Sequence, residues 1–173
     1  YKKNINSANA TIVIVSSLSE QEIISISEKI SKSLSSSEQT SYLTKEPSKI
    51  KKGKYVHKKY NSEQAHIYVG GLAVKRGSKN QLPLYIANYI FGGSGFNARL
   101  MQELRVKRGL TYGVYSYIYP MKEIGPFIIG IETKAEQAQE SVKIIHNMLK
   151  NYHKNGPTKK EIKHAKQAII NGF

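Results

Sequence analysis

The stretch Gly92-Gly93-Ser94-Gly95-Phe96-Asn97-Ala98-Arg99-Leu100-Met101-Gln102-Glu103-Leu104-Arg105-Val106-Lys107-Arg108-Gly109-Leu110-Thr111-Tyr112-Gly113-Val114-Tyr115-Ser116 carries its own punctuation. Glycines at 92, 93 and 95 terminate the apolar run from Leu82 to Phe91, whose spacing predicts a helix. A second helix is predicted from about Asn97 to Lys107, with Leu100, Met101 and Leu104 on one stripe and Gly109 as its stop. A strand over about 110–120 follows. Along it Tyr115, Tyr117 and Tyr119 alternate on one face, and Tyr112, Val114 and Ile118 are expected on the other. The glycine turn follows a helix rather than a strand and lacks the Lys-Ser/Thr of a phosphate loop, so it reads as a tight helix-to-helix connection.

Working outward, Pro120, Gly125 and Pro126 separate this strand from a second at about 126–133, which predicts an antiparallel hairpin with a longer loop. Thr133 with Glu136 is expected to cap a helix whose inner face is Ala138, Val142, Ile145, Leu149 and Tyr152. Thr158 with Glu161 predicts the cap of a last helix. Upstream, residues 64–74 read as a central strand, and residues 37–54 as a polar linker. Residues 10–16, Ala-Thr-Ile-Val-Ile-Val-Ser, read as a buried strand. Ser19 with Glu22 caps a helix carrying Ile23, Ile26, Ile30 and Leu34. The expected fold is α+β: a mixed, mostly antiparallel sheet with helices packed on one face. Three parts are expected: 1–36, the linker 37–54, and a domain over 55–173 that breaks off within its last helices.

In 173 residues there is no Cys, no Trp and no Asp; all twelve acids are Glu. Thiol nucleophiles, disulfides, iron–sulfur ligation, aspartyl dyads and Ser-His-Asp triads are therefore excluded. The five histidines, His57, His66, His146, His153 and His164, form no H-x-x-E-H, and no cofactor or metal site is expected within the chain. The formal charge of +15 raises nucleic acid as a partner, but 23 of the 27 basic residues are Lys, scattered along the chain. Specific readout favours the Arg fork, so a basic nucleic-acid-binding module stands only as a second alternative. No apolar run reaches membrane-spanning length, so a soluble chain is expected. A start at Tyr1 without Met and an end inside a helical pattern suggest a piece of something longer. A cysteine-free chain suits either redox compartment, with periplasm or cell envelope favoured over cytoplasm.

Residues 92–116 resemble the C-terminal, non-zinc half of the M16 zinc peptidases, the pitrilysin group that includes insulysin and the mitochondrial processing peptidases. Glu63-Gln64-Ala65-His66-Ile67 resembles the opening strand of that half, and Gly156-Pro157-Thr158-Lys159-Lys160-Glu161-Ile162 its entry to a late helix. Residues 9–34 look like the strand and helix that close the preceding, zinc-carrying half. The resemblance implies that zinc, bound through H-x-x-E-H, sits on the other half of the parent chain or on a partner subunit, within a homo- or heterodimer. It also implies a peptide substrate, held as an added strand at a sheet edge.

The family's Arg and Tyr, seven residues apart, match Arg105 and Tyr112. The resemblance assigns Arg105 to gripping a substrate carbonyl and the Tyr112 hydroxyl to donating to the oxyanion. Spacing alone favours a surface helix cation at Arg105 and a packed strand residue at Tyr112. Arg108, before Gly109, is the competing cation. A non-catalytic structural subunit of the same fold is the first alternative, since nothing within the chain activates water.

Overall fold

The computed structural model describes residues 5–36 and 53–172, and the chain divides into two compact units, Tyr1–Thr44 and Lys45–Phe173. Most of the expected linker, residues 37–52, lies outside the described residues.

In the first unit, helix α1 spans Glu20–Ser33 and opens with the expected capping box: the Ser19 side chain accepts from the Glu22 amide while the Glu22 carboxylate accepts from Ser19 N–H at 2.9 Å. Its apolar residues recur at helical spacing, yet none is buried among the described residues. Residues 10–16 form no strand, contrary to the pattern reading. A strand is defined by its ladder, and among the described residues of this unit no second strand supplies one; Val15 stands 95% exposed.

In the second unit, three strands form one antiparallel sheet in the order β1–β3–β2: β1 is Gln64–Leu72, β2 Thr111–Ile118 and β3 Pro126–Lys134. The β2–β3 hairpin follows its predicted placement. Helix α2, Gln81–Asn88, continues through a wide i→i+5 turn, Tyr89–Gly93. Helix α3, Arg99–Met101, continues through another at Gln102–Lys107. Helices α4, Ala138–Asn155, and α5, Lys159–Asn171, complete the unit. Ile129 and Ile131 of β3 and Val114 of β2 face the helices and bury against Phe91, Leu100, Leu104, Leu110 and Ile145. Each such side chain contributes roughly 1.5–3 kcal/mol on leaving water. Helices thus cover one face of the sheet, and the opposite face stays open with Tyr68, Tyr115 and Tyr119 exposed.

The glycine turn is as tight as the sequence implied. A Cβ at Gly92 would lie 2.7 Å from the Ser116 amide nitrogen and 2.8 Å from Leu100 Cδ1, so the helix end and β2 approach at backbone distance. Asn88 ties the same junction, donating to the Ser116 carbonyl at 3.0 Å and accepting from its hydroxyl at 2.8 Å.

Two helix readings change. Thr133 does not cap α4; it belongs to β3, and its hydroxyl donates to the Leu110 carbonyl at 2.6 Å. The sheet takes the hydroxyl first, and a short 3-10 turn, Ala135–Gln137, leads into α4 instead. Consequently the inner face of α4 is Ser141 and Ile145, with Ile144, Met148, Leu149 and Tyr152 beside them, while Val142 points outward. The Thr158–Glu161 capping box of α5 forms as expected.

Candidate functional site

Arg105 sits in the wide turn that ends α3. Gly109, at φ +63°, takes the left-handed conformation that releases the chain. Two bonds close this helix end: Gly109 N–H to the Arg105 carbonyl at 2.9 Å and Leu110 N–H to the Leu104 carbonyl at 2.9 Å. Leu110 then buries in the core, and β2 begins one residue later.

The strand begins with a β-bulge. Thr111 pairs with Thr133 and Gly113 with Glu132, so Tyr112 has no partner in the register. Thr111 Oγ1 accepts from Gly113 N–H at 3.0 Å and donates to the Glu132 carbonyl at 2.5 Å, which pins the irregularity. The bulge also overturns the expected alternation. Tyr112 does not share the buried face of Val114; it turns outward and is 93% exposed.

Arg105 answers the bulge. Its Nη1 donates to the Tyr112 carbonyl at 2.7 Å, satisfying an oxygen that the ladder leaves out. The guanidinium carbon lies 4.6 Å from the centroid of the Phe96 ring. Gln102 Nε2 donates to the Phe96 carbonyl at 2.7 Å, fixing that residue in the 3-10 turn Gly95–Asn97. The two sequence-selected residues are therefore adjacent through one side chain and one backbone group. Phe96 and the bulge escaped the pattern reading; the signal available was Thr111-x-Gly113 at a strand start.

Arg108 is engaged elsewhere. With Lys107 it pairs with Glu103, at 2.9 and 3.0 Å, and these two bonds hold the Glu103 carboxyl below its ordinary range. A groove of about 580 Å³ runs between α3 and α4, lined by Arg99, Glu103, Arg108, Ile144, Met148 and Glu161 among others; neither Arg105 nor Tyr112 lines it. Tyr115 crosses the open face over Gly130, where a Cβ would lie 2.6 Å from its hydroxyl, and it stacks on Tyr117 with centroids 5.7 Å apart. The tyrosine row thus lies on the open face of the sheet, with Tyr115 and Tyr119 exposed.

Among the described residues no group of three or more His, Cys or Glu side chains stands close enough to hold a metal ion. His66 faces Glu132 across the sheet register at 3.3 Å, as a sheet histidine. The described residues therefore do not fit a zinc site. No helix among them is long and apolar enough to cross a membrane.

The chain belongs to the peptidase M16 inactive-domain family, which matches residues 1–169. It is similar to the crystal structure of a peptidase M16 inactive domain from Pseudomonas fluorescens at 34% identity and a TM-score of 0.80, covering 97% of this chain and 40% of that one. A protease structure from Helicobacter pylori matches 90% of this chain and 39% of that one at a TM-score of 0.61; at 20% identity it shows the fold alone. Among curated relatives, "uncharacterized zinc protease YmxG" of Bacillus subtilis is 32% identical over 112 residues, 65% of this chain and 27% of that protein. "Non-peptidase homolog YmxG" of Helicobacter pylori is 29% identical over 112 residues, 64% of this chain and 26% of that protein. The chain thus spans about a quarter of the length of these relatives.

Proposed function

We propose that this chain is the substrate-binding part of a zinc metalloendopeptidase, inactive alone, lending Arg105 and Tyr112 to an active site whose metal is held by another half. That half is the remainder of the parent chain or a partner subunit, and residues 1–36 are its closing segment. The observation that carries the reading is the bulge: it turns the Tyr112 phenol fully outward and sets the Arg105 guanidinium against the same residue. A phenol so placed donates to a scissile carbonyl as negative charge develops on its oxygen, and the remaining guanidinium N–H groups hold a neighbouring peptide carbonyl. The zinc-protease names of several relatives support the same reading.

The test uses the full-length protein or the two-subunit complex with its zinc. Tyr112→Phe lowers kcat by one to three orders of magnitude with metal content unchanged, as expected for a donor acting only in the transition state. An unchanged kcat rejects the role. A second reading, a non-catalytic structural subunit, draws support from the non-peptidase name of one relative. An intact complex without peptidase activity, and a parent gene lacking H-x-x-E-H, would establish it.

A further inference from the structure

The stack of Arg105 on Phe96 is not demanded by the core, because Phe96 is 59% exposed and contacts the guanidinium from outside it. An exposed phenylalanine held at that place needs a reason. Three features hold it: Gly95 at φ +61°, the 3-10 turn Gly95–Asn97, and the 2.7 Å bond from Gln102 to its carbonyl.

Arg105, for its part, lies in the wide turn Gln102–Lys107, a helical irregularity common where a side chain is set for function. A guanidinium on a flexible stem must give up its rotamers when it grips a ligand, and that ordering is subtracted from affinity. Here it is ordered beforehand. Nη1 is spent on the Tyr112 carbonyl at 2.7 Å and the flat cation rests on a π face at 4.6 Å. One of five N–H donors is thereby used, and the others face no acceptor among the described residues. A leucine of similar bulk would fill the space without attracting the cation, because the attraction comes from the ring quadrupole.

We propose that Phe96 is a positioning residue for Arg105: its ring preorganises the guanidinium beside Tyr112 so that the unspent N–H groups meet a peptide backbone carbonyl. This rests on the reading that Arg105 grips the substrate. It assigns to the glycine turn a role besides connecting two helices.

The experiment measures the Kd of a fluorescein-labelled unstructured peptide for the full-length protein, which needs no turnover, with thermal melting in parallel. Phe96→Leu weakens binding about threefold to tenfold with the melting temperature unchanged, and Phe96→Tyr, which keeps the ring, restores it. In an Arg105→Met background, which has neither the cation nor its donors, Phe96→Leu adds nothing. If Arg105→Met weakens binding while Phe96→Leu matches the parent protein, or if the two effects simply add, positioning is overturned and the role of Arg105 stands. If Arg105→Met itself leaves Kd unchanged, the substrate-gripping reading fails and this inference falls with it.

Discussion

Replacing Glu161 by Gln tests the clamp that joins α3, α4 and α5. Glu161 accepts from Arg99 Nε and Nη2, both at 2.7 Å, and caps α5 through the Thr158 amide at 2.7 Å. Arg99 in turn lies 4.8 Å from the centroid of the Tyr152 ring on α4. The bond to Arg99, partly opposed by burial, pulls the carboxyl from its ordinary 4.5 to about 2. At about 1.4 kcal/mol per pH unit that displacement corresponds to roughly 3 kcal/mol of preference for the charged form. Both side chains remain about 30% exposed, so solvent screening reduces the contribution to about 1–2 kcal/mol. The sign follows from linkage: a carboxyl whose folded value is depressed stabilises the fold above the unfolded value near 4.5, and the benefit disappears as pH falls through about 2.

Urea unfolding of parent and Glu161→Gln chains between pH 7 and pH 2 reads this directly. A gap of about 1–2 kcal/mol, or roughly 4–8 °C in Tm, is expected at pH 7 and shrinks toward zero near pH 2. Other carboxylates titrate in both chains alike, so the difference isolates Glu161. A gap that stays constant across that range refutes the charged clamp and leaves only the helix cap.

Two further substitutions probe the scaffold of the site. Gly92→Ala forces a Cβ against the Ser116 amide and Leu100, and costs about 1–3 kcal/mol in chemical denaturation; a neutral result would mean that α2 and β2 do not meet at backbone distance. Thr111→Val strips the bulge of the hydroxyl that serves the Gly113 amide and the Glu132 carbonyl, and costs about 1–3 kcal/mol. Faster hydrogen exchange at Gly113 accompanies it; unaltered exchange would mean that the bulge is held by something else.

How much of this was legible depends on whether the signal is local. The Ser19–Glu22 and Thr158–Glu161 boxes, the Gly109 stop and the hairpin are written in neighbouring residues, and all four form. Thr133 matched the same local rule and failed it, because the Leu110 carbonyl, 23 residues away in sequence, competes for its hydroxyl. The β-branched run at 10–16 fails for a related reason: propensity makes a segment willing to be a strand, and only a partner makes it one. At the site, the pairing of Arg105 with Tyr112 came from the family resemblance and not from spacing, and the outward turn of the phenol was legible in neither. Strict alternation placed Tyr112 with Val114, and a single unpaired residue reverses that.

The choice between Arg105 and Arg108 turns on where each charge is spent. Arg99 and Arg108 each engage a carboxylate, Glu161 and Glu103, the latter shared with Lys107, so both guanidinium groups are held in ion pairs. Arg105 faces only an uncharged carbonyl and an aromatic ring, and among the described residues no carboxylate lies within ion-pair distance of it. A cation fixed in place by neutral partners keeps its field and most of its donors directed outward. Position seven residues before the exposed phenol and an uncompensated charge are independent observations, one from sequence and one from packing. Both support the proposal that Arg105, and not Arg108, is the group that would meet a peptide.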